Sequence, residues 1–405
     1  MPRPPHIRRC VISARSTLHD EARPFRGPSR LWYGMGAAAH AADCARELGI
    51  PSGPVLVLTD PVVDKLGLAD DVIASLREAG FALHRFSEIP GEPTVEVADR
   101  GAAIARELAP VLIVGVGGGS VMDVAKLAAA LIGNPGSVLD YTHFGRKRFA
   151  GPSVPTILVP TTAGTGAEAS QNAVVTSGSR KAFANNYPQL LAAGALLDPR
   201  LTVSLPPTVT AHTGLDALSH CVEGILSTNA TALTDLSAVQ GIGLIVRSLP
   251  RAYAAGTDAE ARAGMVLAAY LGGLSLNAGM VLGHSIAYTI ANRLHLPHGF
   301  SCALALPYAM AYSRETAAAR LRRIGEAAGT DGADAVRAVE SLCHDLGMPE
   351  ALKTLGLARE RLPEMVTECL EQYPRPNNPR PLDPSVLLSL YQAMWDGRPA
   401  HAWAS

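Results

Sequence analysis

Hydrophobic positions in the first half of the chain come in short β-rich runs separated by stretches with helical spacing, an alternation that predicts βαβ units on a parallel sheet. Pro54-Val55-Leu56-Val57-Leu58-Thr59-Asp60 reads as a buried strand ending in a polar residue, followed by one helix over about 62–79 that Gly80 terminates. The next strand starts at Phe81, and a helix spans about 94–108. Val111-Leu112-Ile113-Val114-Gly115-Val116 is apolar on both faces, which suits a central parallel strand, and Thr156-Ile157-Leu158-Val159 is a further strand ending at Pro160. After Pro206-Pro207 the pattern changes to 3.6-residue periodicity with Ala-rich runs. Helices are therefore expected to about Gly397, with a Pro/Asn-rich break over 374–384. Three segments result: an N-terminal extension over 1–28, an α/β domain over 29–205 and a helical domain over 206–405.

Composition narrows the class. A chain of 405 residues exceeds the usual single domain, and 48% hydrophobic with 18% charged residues is globular rather than disordered. Lys+Arg total 35 against 36 Asp+Glu, so no basic field exists to hold a polyanion, and nucleic acid is not expected as a partner. Cys10, Cys44, Cys221, Cys302, Cys343 and Cys369 are scattered without a CxxC pair, which fits a reducing compartment and a cytoplasmic location. The extension holds Arg3, Arg8, Arg9, Arg15, Arg23 and Arg26, but Cys10-Val11-Ile12 is far too short for a secretory core, so it reads as a loose basic segment. Residues 263–292 contain no Asp, Glu, Lys or Arg, a length that would span a membrane. Five glycines together with Asn277 and His284 interrupt them, so a buried helix pair is expected and no membrane partner.

Candidate chemistry lies in three places. Gly117-Gly118-Gly119-Ser120-Val121-Met122-Asp123 follows the central strand; its glycines allow close backbone approach, Ser120 and Asp123 read as N-cap and N3 of the next helix, and the helix terminus suits a pyrophosphate. The same residues would make an ordinary capped turn, and the run is not GxGxxG, so both readings stay open. Asp60 stands where open α/β sheets accept ribose hydroxyls, and equally where a helix cap stands. The loop Pro160-Thr161-Thr162-Ala163-Gly164-Thr165-Gly166-Ala167-Glu168 suits phosphate, ribose or carboxamide, or plain ST-turns. Asp216 and His220 lie one helical turn apart on one face, and His284 and His298 follow in the charge-poor region, fourteen residues apart. Three imidazoles and a carboxylate form a ligand shell for a divalent Fe or Zn ion. Singly, each histidine reads as a hydrogen-bonded core residue; as a set on apolar helices, four polar groups need a common explanation.

The order GGGSVMDVAK, PTTAGTGAE, DALSH and two histidines fourteen apart, the second in PHG, resembles the iron-containing (group III) alcohol dehydrogenase family from about Leu31 to about Gly397. The resemblance implies a Rossmann-like α/β dinucleotide-binding domain and an all-α domain, a dehydroquinate synthase-like two-domain architecture with cofactor and metal in the cleft between. It implies metal ligands at Asp216, His220, His284 and His298, binding Fe2+ or Zn2+. It implies cofactor contacts at Asp60, Gly118, Gly119, Ser120, Asp123, Thr161, Thr162, Thr165, Lys181 and Leu201, with NAD favoured over NADP because the Asp60 carboxylate would repel a 2′-phosphate. Two departures stand out. Tyr288 occupies the place where relatives often carry a proton-relaying histidine, and a phenol with a pKa near 10 is a poorer shuttle at neutral pH. His212 sits where many relatives have a small residue, and reads as a surface residue, a relay or a metal-ligand support.

The implied activity is metal-dependent, NAD(H)-linked hydride transfer between nicotinamide C4 and a small alcohol, aldehyde or ketone, in a homodimer or higher homo-oligomer. Apolar residues of the helical domain would close over the site. The same scaffold leaves other readings: a maleylacetate reductase-like enzyme, a hydroxyacid–oxoacid transhydrogenase, and a dehydroquinate synthase-like lyase on a phosphorylated substrate. The lyase needs several basic residues for its phosphate, and the helices from Asp216 to His298 offer only Arg247, Arg251, Arg262 and Arg293. The apolar strand near Leu31-Trp32-Tyr33 is a candidate edge for pairing with a second copy.

Overall fold

A computed structural model describes residues 22–403 apart from positions 90, 179 and 331–333. Cys10 and the arginines at 3, 8, 9 and 15 lie outside the described residues. The α/β half runs β1 (Arg30–Tyr33), α1 (Ala41–Glu47), β2 (Pro54–Leu58), α2 (Pro61–Lys65), α3 (Asp70–Glu78), β3 (Ala82–Phe86), α4 (Val95–Leu108), β4 (Leu112–Gly117) and α5 (Gly119–Ile132). It continues through β5 (Thr156–Pro160), β6 (Ala173–Ser177), β7 (Arg180–Ala184) and β8 (Gly194–Leu197). The helical half is α6 (Pro207–Leu226), α7 (Ala232–Ala254), α8 (Ala259–Ser275), α9 (Leu282–Leu294), α10 (His298–Tyr312), α11 (Ala318–Ala327), α12 (Ala335–Asp345), α13 (Leu362–Gln372) and α14 (Pro384–Asp396).

Six strands form one parallel sheet in the order β1-β8-β5-β4-β2-β3, as the alternating pattern predicts. β4 and β5 are buried along their whole length because neighbours cover both faces, which is why they lack polar alternation. The carboxyl ends of β2, β4 and β5 point to one edge, where parallel sheets of this kind bind ligands. The change of texture at Pro206-Pro207 is the start of α6, with Pro207 at the first helical position.

Four expectations are corrected. The single helix over 62–79 is two, because Gly67 takes a left-handed φ of 66° between them. Ser120 and Asp123 are not N-cap and N3: α5 starts at Gly119 with Gly118 as N-cap and no side-chain cap, so both lie inside the helix. An antiparallel pair, β6–β7, occupies a segment with no expected strands. The end of the extension is tied down rather than loose. The Asn277 side chain accepts from the Arg26 backbone N–H and donates to its carbonyl, both at 2.9 Å, across to the helical half.

The charge-free stretch is broken, not a straight span: α8 and α9 meet at 108° around a turn at Leu276–Ala278. Among the described residues one helix, α7, is long and apolar enough to cross a membrane, with half of its most apolar window buried in the bundle.

Candidate metal and cofactor site

α6 supplies Asp216 and His220 from one face, as their spacing requires. α9 supplies His284 and α10 supplies His298, its first residue. Small residues beside these histidines allow the three helices to converge. A Cβ on Gly283 would stand 2.5 Å from Glu223 Oε1, and one on Gly299 would stand 2.3 Å from the His212 carbonyl oxygen. At Gly299 the obstacle is backbone, so only glycine lets α10 approach α6 so closely, whereas a Cβ at Gly283 would displace the Glu223 carboxylate.

The Nε2 atoms of His298, His220 and His284 lie 3.5, 3.7 and 3.9 Å from Asp216 Oδ1. Asp216 Oδ1 and His284 Nε2 are buried and have no hydrogen-bond partner among the described residues. A buried carboxylate oxygen facing three imidazole nitrogens without a shared proton or bond is costly on its own. A divalent cation satisfies all four donors, so the residues present fit the metal. His298 is 31% exposed in its side chain while His220 and His284 are 6% and 0%, so His298 is the most open of the three rings.

Protonation matches ligation. Burial and the neighbouring His220 and His298 hold His284 well below the ordinary histidine range, leaving a neutral ring. Burial raises Asp216, but His220, His298 and His284 together outweigh it and keep the carboxyl below its ordinary value. Glu223 accepts the Nδ1–H of His284 at 2.6 Å and the Val281 N–H at 2.6 Å, which turns the Nε2 lone pair of His284 toward Asp216. Burial pushes Glu223 up to about 7.

The opposite wall is the glycine turn. Gly118, Gly119, Ser120, Asp123, Thr162, Thr165 and Lys181 line the same cleft as Asp216, His220, His284 and His298, a space of about 830 Å³. Thr161 is buried and bonds Gly117 through its backbone N–H, holding the threonine loop against β4. The Asp123 carboxylate is engaged, accepting from the Val174 N–H at 2.9 Å and pairing with buried Lys126 at 2.9 Å. Lys181 pairs with Glu92. Asp60 caps α2, accepting from the Val62 and Val63 N–H groups at 2.8 and 2.9 Å, and it lies at the same sheet edge outside the cleft lining. Leu201 is buried in the core under that edge and is not part of the lining.

Tyr288 is fully enclosed, stacks on His298 at 5.5 Å and packs with Phe183 and Tyr373. Burial raises its phenol well above 10, so it walls the site as a neutral ring. His212 is not a surface residue: it lines the cleft, half-buried, with its ring against the edge of Phe300 at 5.0 Å. Three contributors were absent from the sequence reading. Glu223 continues the Asp216–His220 stripe one turn on. Cys302, one turn after His298, has its Sγ 3.6 Å from His298 Nε2 and groups with Asp216, His284 and His298. His295 lines the cleft from the left-handed end of α9. Three of the four arginines weighed for a phosphate are committed elsewhere: Arg251 to Asp258 and Glu260, Arg262 to Thr210 and backbone carbonyls, Arg293 to Glu368.

Comparison with known proteins agrees with this geometry. Residues 28–199 match the family model described as iron-containing alcohol dehydrogenase, and residues 210–395 match its C-terminal counterpart. A long-chain-alcohol dehydrogenase of Geobacillus thermodenitrificans is 37% identical over 91% of this chain and 96% of its own length. Among solved structures, a 1,3-propanediol oxidoreductase superposes with a TM-score of 0.87 at 28% identity, covering 93% of this chain and all (100%) of that one. The sulfoacetaldehyde reductase of Bifidobacterium kashiwanohense, solved with NAD+, gives 0.83 at 29% identity over 92% of this chain and 99% of that one. The chain belongs to the iron-containing alcohol dehydrogenase family. It is an oxidoreductase of that metal-dependent, nicotinamide-linked class of alcohol dehydrogenases and aldehyde reductases.

Proposed function

We propose that the chain is a cytoplasmic, NAD-preferring enzyme that interconverts small alcohols and the corresponding aldehydes or ketones, with Fe2+ or Zn2+ held by Asp216, His220, His284 and His298. The observation that carries this reading is the unpartnered Asp216 Oδ1 with three imidazole Nε2 atoms 3.5–3.9 Å away, on a cleft whose far wall is the glycine turn.

When bound, the metal supplies Lewis acidity that favours the alkoxide in oxidation and polarises the carbonyl in reduction. The protein does the rest by placement. The first amides of α5 and the Ser120 side chain at the glycine turn suit the cofactor pyrophosphate, with Thr162, Thr165 and Lys181 on the same wall. The Asp60 carboxylate at the end of β2 would repel a ribose 2′-phosphate, which supports NAD over NADP. Tyr288, Phe183 and Tyr373 form an apolar flank that keeps water from the reacting carbon. His212 is a neutral ring on the cleft wall, because burial holds it below the ordinary histidine range, and it is placed to take up an alcohol proton.

The five described cysteines are buried and unpaired, which supports a reducing compartment. β1 is an edge strand with Leu31 and Tyr33 exposed by 42% and 46%, which supports a homodimer closing that edge. The test is a screen of alcohols with NAD and NADP, and of aldehydes with NADH and NADPH, on protein reconstituted separately with Fe2+ and Zn2+. Turnover with NAD(H) that depends on the added metal supports the reading. Turnover only with NADP(H) removes the cofactor assignment, and metal-independent turnover removes the metal.

A further inference from the structure

The Pro/Asn-rich break noted in the sequence crosses the floor of a second cavity of about 380 Å³, which adjoins the metal cleft and shares Asn172, Asn185, Leu276 and Met280 with it. Arg375 lines this cavity, and no Asp or Glu does. Among the described residues its one side-chain hydrogen bond runs from Nε to Ser285 Oγ at 3.0 Å, and no carboxylate lies within ion-pair distance. Arg293, also part-buried and on α9 beside the site, has a carboxylate partner in Glu368. Pro374 and Pro376 flank Arg375 and restrict the backbone that presents it. Ser285 follows the ligand His284 and donates to the Tyr373 carbonyl at 2.7 Å, so the guanidinium is anchored by one nitrogen directly behind the metal site. Its charge reaches the buried Glu223 carboxyl, which it favours ionised, as well as His284, Tyr288 and His143.

A half-buried guanidinium with no carboxylate in direct contact leaves its fork of N–H donors open to a carboxylate or a tetrahedral oxyanion. The polar neighbours suit the same occupant: Asn172 spends only its side-chain carbonyl, on the Asn186 N–H, and Asn185 makes no side-chain hydrogen bond among the described residues. Tyr288, which lines the metal cleft, stacks on His298 and packs against Tyr373, the residue two before Arg375.

We propose that the substrates are aldehydes and alcohols carrying an anionic oxygen headgroup, a carboxylate, phosphonate or sulfonate, which Arg375 binds while the carbonyl end lies at the metal. This rests on the dehydrogenase reading above and specifies its substrate class. Arg375 acts here as a specificity residue, remote from the reacting carbon.

The experiment compares succinic semialdehyde with butanal, equal in carbon number and differing in the terminal carboxylate, on the metal-loaded enzyme with NADH. The expected ratio of kcat/KM favours the acid by about tenfold or more. Arg375→Gln should lower that ratio by at least about tenfold, chiefly through KM, and Arg375→Lys should restore part of it. Calorimetric titration of the holoprotein with succinate, and separately with propylphosphonate, reads the anion site without turnover. Saturable binding of either that Arg375→Gln abolishes supports the site, and the tighter of the two identifies the headgroup. A wild-type ratio near one, a ratio unchanged in Arg375→Gln, or no binding of either anion overturns the proposal. If neither aldehyde is reduced while the anions still bind through Arg375, the dehydrogenase reading fails and the anion site stands.

Discussion

Glu223 holds His284 by its Nδ1–H at 2.6 Å and takes the Val281 N–H with its other oxygen, so one buried carboxylate both starts α9 and sets the tautomer of a metal ligand. Supporting carboxylates of this kind typically contribute about 10- to 100-fold in metal affinity. Glu223→Ala should therefore weaken metal binding by about that factor, read by competition against a chromogenic chelator. An unchanged affinity would mean that His284 is oriented by packing alone.

Asp60 serves as helix cap and stands at the sheet edge where the adenosine ribose would lie. Asp60→Gly should raise the NADP:NAD ratio of kcat/KM by about tenfold, since repulsion of the 2′-phosphate disappears. Glycine is a tolerable N-cap, so the melting temperature should move little, a loss of a few tenths of a kcal/mol (~0.3). A constant cofactor ratio would show that Asp60 is a cap only.

His212 lines the cleft and is held below the ordinary histidine range by burial. A proton acceptor of this kind gives alcohol oxidation an acid limb at a pH below the ordinary histidine value of about 6.5, the rate falling as the ring takes its proton. His212→Gln should abolish that limb in the pH profile of kcat/KM while lowering the plateau. A limb that persists in the variant would place the relay elsewhere, with His295 the next ring on the cleft wall.

Asp198 ties the end of β8 to the sheet's edge. Its carboxylate accepts from the Ala38 N–H at 3.2 Å and forms paired bonds with the Arg200 guanidinium at 3.1 and 2.8 Å. Burial raises its pKa, but the bonds from Arg200 and Ala38 prevail and lower it. A carboxyl depressed in the fold stabilises fully above its unfolded value and loses that contribution as pH falls through the folded one. Asp198→Asn should cost about 1–2 kcal/mol near pH 7, a modest figure because Arg200 is 46% exposed and screened by solvent. Melting temperatures of variant and wild type should stay apart down to about pH 4 and converge as pH falls further. Parallel curves would mean that shape, not charge, matters at this position.

Much of the fold was legible because burial on both faces removes polar alternation, so β4 and β5 stand out as apolar runs. The Asp216–His220 pair was legible because four residues is one helical turn. Glu223 carried the same signal, seven residues from Asp216 on the same face, but a lone Glu on a helix ordinarily reads as solvated. Arg375 gave no local signal at all: what singles it out is a guanidinium facing a cavity with no carboxylate in its lining, a property of folded space and not of spacing. The break at Gly67 was masked by helical periodicity that continues in phase on both sides of it.

The most direct test of the central claim is anaerobic metal analysis of the purified protein and of Asp216→Ala. The wild-type protein should hold one divalent Fe or Zn ion per chain and reduce aldehydes with NADH in a way that a chelator abolishes and the metal restores, and the variant should lose both metal and turnover. Wild-type protein that is free of metal, indifferent to chelation and still reduces aldehydes would contradict that claim.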